Sequence, residues 1–296
     1  MRSFIAGGLA DFSISRSTGR ARGWGIPVPD DPDQVIYVWW DALANYLTAL
    51  DYGTGGAAYR RWWAGDGRRV HLVGKGVLRF HAVYWPAMLL SAGEPLPSEI
   101  LVHDYLTIDG HKISKSTGNG VDPVALVDRY GVDAVRWWLL REVPRVGDAD
   151  FTVDRLVARA NEDLANGLGN LVNRVVSMVH RYGCPAAGSA LPAALAAPGL
   201  VDAALGDFDL RRAVAAVWEV VAEGNRYVER VRPWELARAG DAAGLDAALG
   251  TLLASCRVLG ELLAPFLPDA AARIAAQLAV GPDGRLPAPL PLFPRL

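Results

Sequence analysis

Cysteine is scarce in this chain of 296 residues: the two present, Cys184 and Cys256, stand far apart and share no paired spacing. That argues against a disulfide framework and against a zinc site of the chain's own, so no bound metal is expected. An excess of one charge is lacking as well. The 30 Lys and Arg face 32 Asp and Glu, for a formal net charge of -2, so no global basic field recruits nucleic acid. Any such contact has to come from a local patch. No uninterrupted apolar run approaches about twenty residues and no cationic-then-apolar leader opens the chain, so neither membrane insertion nor secretion is indicated. A reducing, cytoplasmic compartment is the expectation. Histidine is limited to His71, His81, His103, His111 and His180, none of which belongs to a His-x-Gly-His pattern. No internal repeat is visible.

What is there is apolar substance: 51% hydrophobic residues, enough to bury a large core in one large or two ordinary domains. An alternating run, Ile100 to Ile108, reads as a strand, and Asp109 to Asn119 after it as a mobile loop. Within the loop, Lys112 and Lys115 are interleaved with Ser114 and Ser116 and followed by Gly118. Two ammonium groups at that spacing suit a loop that closes over a polyphosphate and stabilises charge during transfer, with Lys115 as its main carrier. The same composition also fits a solvated surface loop.

Upstream, Gln34 to Trp39 is a short β-branched and aromatic run that reads as a buried strand, with Asp41 placed to cap the helix after it. Trp39, Ala42, Leu43 and Tyr46 could then wall a small apolar pocket, or simply pack as core. Val70 to Gly74 reads as another buried strand, followed by a turn and a helix through Leu90 that Pro86 should kink or tighten. Strand, helix and the strand from Ile100 make one crossover of a parallel sheet, with ligands expected at the carboxyl ends of its strands. Beyond the lysine loop, Asp122-Pro123 starts a helix with Pro at its first position, and Pro144 to Asp150 reads as a hinge.

From Thr152 the apolar period becomes helical. Val157, Ala160, Leu164, Leu168, Leu171, Val175 and Met178 form one stripe, and Asn166, Asn170 and Arg174 recur every fourth residue on a polar face. Two amides and a guanidinium in line can hydrogen-bond to base edges and stack on a splayed base, although an ordinary solvated face has the same pattern. Gly167 and Gly169 cost about 1 kcal/mol each inside a helix unless close packing demands them. Helices follow at roughly 209–231, 245–263 and 268–278, with 186–198 as a low-complexity Ala/Pro connection. Trp234, after Arg232-Pro233, could serve as a stacking platform.

Lys112-Ile113-Ser114-Lys115-Ser116 resembles the KMSKS signature of class I aminoacyl-tRNA synthetases, and the flanking sequence resembles the methionyl-tRNA synthetases in particular, from Phe4 to Arg295. The resemblance covers nearly the whole chain but only the second half of a complete enzyme. It implies an α/β plus all-α protein: a partial Rossmann-like parallel sheet in residues 1–121, a connecting segment in 122–150 and a helical anticodon-binding bundle in 151–296. It also implies ATP, with Mg2+, and methionine as substrates and a methionine tRNA as partner. By the same resemblance, Arg16 lies at the active site, and Val38 to Leu43 matches a segment whose Trp, Ala and Tyr positions contact the methionine side chain. The positions of Val77 and His81 line that pocket. Lys112 and Lys115 bind ATP, and Asn166, Asn170, Arg174 and Trp234 hold anticodon bases. The tail from Pro291 to Arg295 is expected to pack back on the catalytic domain. One departure is Gly76, where the family has an acidic residue able to hold a ribose hydroxyl. Neither the HxGH half-site nor the zinc-bearing connective domain is recognisable, so the N-terminal half is expected either to come from a separate partner chain or to have been cut from this sequence, and an exposed apolar sheet edge is expected. Two other functions fit part of the pattern: a non-catalytic anticodon binder and an amino-acid-activating paralogue in small-molecule biosynthesis.

Overall fold

A computed structural model describes residues 1–65, 67–113 and 120–296, which form two compact units, Met1–Asp104 and Tyr105–Leu296. The stretch 122–150 falls within the second.

In the first unit a short helix α1 (Arg2–Ala6) precedes a three-stranded antiparallel sheet in which β1 (Ser15–Ser17) and β2 (Pro27–Val28) flank β3 (Asp31–Ile36). The strand expected through Trp39 stops at Ile36, and Val38–Thr48 is helix α2. A short apolar run suits a strand or a buried helix equally. Here Trp39, Leu43 and Leu47 recur at helical spacing, and burial of Leu43 and Leu47 decides for the helix. Asp41 therefore sits inside the first turn, where its charge complements the helix N-terminus, and it makes no capping bond; the cap position is Tyr37.

After α3 (Ala57–Tyr59), β4 (Val70–Gly74) pairs in parallel with β5 (Glu99–His103), from Val70 opposite Glu99 to Gly74 opposite His103. Their connection contains a tight turn Lys75–Val77, a widened π-helical turn Phe80–Tyr84 and α4 (Trp85–Ala92). Pro86 stands at the start of α4, and the turn before it is wound wider, not tighter. A proline has no N–H to return to the preceding turn, so the backbone there shifts its register. Leu43, Leu47, Trp63, Trp85 and Leu89 form this unit's core. On the sheet, His71 and Val73 point inward while Leu72 is 67% exposed.

The run expected to be one strand from Ile100 to Ile108 is two. β5 ends at His103, and β6 (Leu106–Ile108) belongs to the second unit, antiparallel to β7 (His111–Lys112) and parallel to β8 (Ala149–Asp150). The break is made by local partners without any Gly or Pro. Asp104 pairs with Lys75 at 3.1 Å, and the Tyr105 N–H donates to Asp148 Oδ1 at 2.9 Å. Asp109 and Gly110, both left-handed at φ 51° and 73°, close the β6–β7 hairpin, so the segment read as loop begins as a hairpin and places Lys112 on a strand. The stretch 144–150, read as a hinge, ends in β8, tied to β6 by ladder bonds.

The rest of the second unit is helical. α5 (Pro123–Tyr130) is capped by Asp122, whose side chain accepts from the Val124 N–H, and α6 (Val132–Glu142) follows it. α7 (Val153–Arg159) runs through a widened π-helical stretch, Ala160–Gly169, into α8 (Asn170–Tyr182). Ala160, Leu164, Leu168, Leu171 and Val175 of the stripe are buried, while Val157 and Met178 pack half-buried at its ends. α9 (Pro192–Gly206) starts inside the stretch read as a connection, because an Ala-rich segment pays little helix entropy and Ala194 and Ala197 are buried. α10 (Leu210–Val231), α11 (Pro233–Ala239), α12 (Ala242–Leu263) and α13 (Pro268–Gln277) complete the bundle. By length and composition alone α12 could cross a membrane, yet Leu249, Leu252, Cys256 and Leu259 of its inner face sit in the bundle core.

Candidate functional site

In the first unit the sequence brings four of its predicted pocket residues together. Val77, in the tight turn after β4, offers its carbonyl to His81 Nδ1 at 3.0 Å, and Tyr46 Oη lies 2.8 Å from His81 Nε2. A carbonyl only accepts, so Nδ1 carries the ring proton, Nε2 accepts, and Tyr46 is the donor. The Trp39 ring meets His81 edge-on at 6.5 Å between centroids. Ala42 is exposed on the same helix. Leu43 does not line this space: it is 2% exposed and packs with Trp63, Trp85 and Leu89 beneath it. The helical period sends position 43 inward between Trp39 and Leu47, which the i to i+4 reading of Ala42 and Tyr46 left open.

Two further residues belong to the cluster. Phe80 stacks on Trp39 with centroids 4.0 Å apart and planes at 12°, and His71 lies 4.3 Å from the Tyr46 ring. His71 Nε2 accepts from Trp85 Nε1–H at 3.1 Å. Burial, and then the neighbouring His81, lower the His71 pKa to about 4, so the ring is neutral. Its position opposite Leu72 in the alternation of β4 was the available signal.

Arg16, on β1, holds its guanidinium 3.8 Å over the Tyr37 ring and donates to Ser15 O at 3.0 Å. With Arg20, Trp24 and Val38 it borders a cleft of about 390 Å3. Lys112 is exposed on β7 with Nζ 4.3 Å above the Tyr105 ring. Lys115, Ser114 and Ser116 lie outside the described residues. At the β6–β7 hairpin Asp150 Oδ1 accepts from Thr107 Oγ1 at 2.7 Å and from Gly110 N–H at 2.8 Å, a clasp that sequence reasoning missed. The Thr107 hydroxyl and then the Gly110 N–H hold the Asp150 carboxyl below its usual pKa.

In the second unit Asn166 and Asn170 are exposed and Arg174 is half-buried along one face of the long helix. Arg174 pairs with Glu229 at 2.8 Å and stands 5.7 Å over the Trp234 ring, so the predicted row and the predicted platform do meet. Arg232, left-handed at φ 48°, turns the chain so that Pro233 and Trp234 open α11.

The tail packs on the helical unit itself. Asn161 Nδ2 donates to Leu296 O at 3.0 Å and its Oδ1 accepts from Leu296 N–H at 2.9 Å, while Arg295 Nη2 donates to Asn166 Oδ1 at 3.3 Å. A Cβ on Gly169 would stand 3.3 Å from Phe293 Cδ2 and 3.0 Å from Leu164 O, which is the close packing that keeps glycine there. Between helix and tail lies a cleft of about 420 Å3 lined by Asn166, Asn170, Asn173, Phe293 and Arg295. Among the described residues no group of three or more His, Cys, Asp or Glu is placed to hold a metal ion.

The family described as tRNA synthetases class I (M) matches residues 1–176, and the anticodon binding domain of methionyl tRNA ligase matches residues 191–289. The methionine–tRNA ligase of Caldanaerobacter subterraneus subsp. tengcongensis is 42% identical over 295 residues, covering 96% of this chain and 45% of its own length. That of Streptococcus pyogenes is 41% identical over 297 residues, covering 95% and 44%. The Mycobacterium tuberculosis methionyl-tRNA synthetase solved in complex with methionyl-adenylate superposes with a TM-score of 0.86 at 40% identity, over 99% of this chain and 62% of that one. The chain thus spans about half the length of the curated relatives it matches. With more than half of its residues inside the first of these family matches, and an α/β unit followed by the helical bundle, the chain belongs to the class I (M) tRNA synthetases.

Proposed function

We propose that this chain works in the ATP-dependent, AMP-forming activation of methionine and its transfer to tRNA. The observation that carries the reading is the hydrogen-bond chain Tyr46, His81, Val77 beside the stacked Trp39 and Phe80. Tyr46 spends its only proton on His81, and His81 spends its own on the Val77 carbonyl. Neither side chain then has a donor left over for a polar ligand. What remains is an aromatic wall suited to an unbranched, polarizable thioether, which gains from sulfur–aromatic contact. The solved relative that holds methionyl-adenylate supports the same chemistry.

In this reading Trp39, Ala42, Tyr46, Val77 and His81 receive the methionine side chain, and Leu43 supports them from the core. Arg16, Lys112 and Lys115, with Ser114 and Ser116, act on MgATP as co-substrate, where fixed cations stabilise charge developing on the phosphates. Asn166, Asn170, Arg174 and Trp234 take the anticodon bases. Residues 1–121 carry the chemistry, 122–150 the connection and 151–296 the RNA reading, in a cytoplasmic enzyme. The test is methionine-dependent exchange between ATP and pyrophosphate by the 296-residue chain, alone and supplemented with the N-terminal half of a relative. Exchange that requires methionine in either case supports the reading, and silence in both sinks it.

A second reading, an anticodon binder without catalysis, is favoured by one observation: the second unit holds its own contiguous core from Ala134 to Leu292. Equal affinity for methionine tRNA and for the same tRNA with an altered anticodon would exclude specific binding of either kind.

A further inference from the structure

The cleft beside the tail is not explained by the row of Asn166, Asn170 and Arg174 alone. One wall is the helix, presenting three amides from Asn166, Asn170 and Asn173; the other is the tail, presenting the Phe293 ring and the Arg295 guanidinium. At about 420 Å3 it lies within the roughly 300–1,000 Å3 typical of small-ligand sites. It is also a built feature. The tail is held by the reciprocal pair between Asn161 and Leu296 and by a second reciprocal pair between the Gln277 amide and the Leu290 backbone, at 2.8 and 3.3 Å. Leu292 is buried, and the Arg273 guanidinium stands 5.6 Å over the Phe293 ring.

Arg295 gives the cleft its chemical sense. A guanidinium only donates, so the Asn166 atom that faces it is the carbonyl oxygen, and the amide is held with Nδ2 as its free donor group. Asn170 and Asn173 keep donor and acceptor both open, since neither side chain makes a hydrogen bond among the described residues. Amides of both senses match the mixed donor and acceptor edges of an unpaired base. An aromatic ring offers a stacking face, and a guanidinium pairs with phosphate. Asn170 lies one helical turn before Arg174, which itself stands over Trp234, so the cleft is continuous with the face already assigned to RNA.

We propose that the cleft between the Asn166, Asn170 and Asn173 row and the Phe293 to Arg295 tail is a second nucleotide subsite for a single-stranded RNA loop, with Arg295 as the positioning residue that fixes the Asn166 amide. The proposal rests on the reading of Arg174 and Trp234 as an RNA face, and it adds a neighbouring nucleotide held on the other side of Asn170.

The test titrates the full chain with a labelled stem-loop RNA carrying the methionine anticodon, and with loops altered at one position at a time. Wild type is compared with R295A, R295K, N173A and R174A. R295A and N173A are expected to weaken binding about ten-fold. They are also expected to lose discrimination at a loop position different from the one lost in R174A. R295K, which still donates to Asn166 Oδ1, is expected to recover discrimination that a merely structural tail contact would not restore. N173A leaves every tail contact in place, so it decides the matter even if R295A unfolds. If R295A and N173A read every loop as wild type does while R174A fails, the subsite is overturned and the RNA face stands. If wild type does not bind the loop, or R174A binds as wild type does, both fall.

Discussion

The Tyr46 hydroxyl and His81 Nε2 stand 2.8 Å apart, and because His81 Nδ1 donates to the Val77 carbonyl the phenol must be the donor. A donor relay of this kind fixes the Tyr46 ring on His81 and the His81 ring on the Val77 carbonyl, and leaves neither side chain a free N–H or O–H group. The Tyr46 pKa is raised by burial, which keeps the phenol protonated as the relay requires. Replacing Tyr46 by Phe strands a buried imidazole acceptor. The expected cost is about 1–3 kcal/mol of stability in urea unfolding. Weaker methionine binding is expected beside it. An unchanged stability would mean that His81 finds another donor.

His71 makes the first unit sensitive to acid. Its folded pKa of about 4 is depressed from 6.5 by burial and then by His81, so the unfolded chain takes up the proton first as pH falls. Stability is fully present above about pH 6.5 and is lost progressively down to about pH 4, by roughly 2–3 kcal/mol at most. Denaturant melts of the chain at pH 7.0, 5.5 and 4.5, followed by the fluorescence of its tryptophans, report this. H71Q, which can still accept from Trp85, should flatten that slope.

Gly169 should resist a substitution that helix propensity favours. Alanine gains about 1 kcal/mol over glycine inside an exposed helix. Here its Cβ would meet the Leu164 carbonyl at 3.0 Å and the Phe293 ring at 3.3 Å. A backbone oxygen cannot step aside as a side-chain end can, so G169A should be destabilised by about 1–3 kcal/mol. A rise in melting temperature instead would show that the tail does not press on this helix.

Glu229 competes for the cation that RNA would need. Its carboxylate holds Arg174 at 2.8 Å while the guanidinium stands over Trp234. Both partners are partly exposed, at 28% and 63% of their side chains, so the pair is worth at most about 1 kcal/mol. E229Q should leave the fold unchanged, free the guanidinium and tighten binding of the anticodon stem-loop several-fold at low salt, with the gain fading as salt rises. W234A should weaken the same binding by about 1–3 kcal/mol through lost stacking.

Much of this protein is legible along the chain because burial has a period. The stripe from Ala160 to Val175 is buried as its spacing predicts, Asp122 caps the helix that Pro123 opens, and Asn166, Asn170 and Arg174 share the face that the spacing of four implies. Residue chemistry, too, is local: a family signature of lysines and serines survives as a string. What no string shows is which short apolar run winds as a helix, or which partner waits far along the chain. Trp39 lies in a helix and Leu43 in the core because Trp63, Trp85 and Leu89 pack against that side of α2. His71 is kept neutral by burial that exists only once β4 is covered. Tyr46 finds His81 across 35 positions, and Asn166 finds Arg295 across 129. The sequence by itself determined the periods and the reactive groups. The tertiary structure alone decided their partners, because packing and hydrogen-bond satisfaction act on neighbours in space, and spacing along the chain carries no record of them.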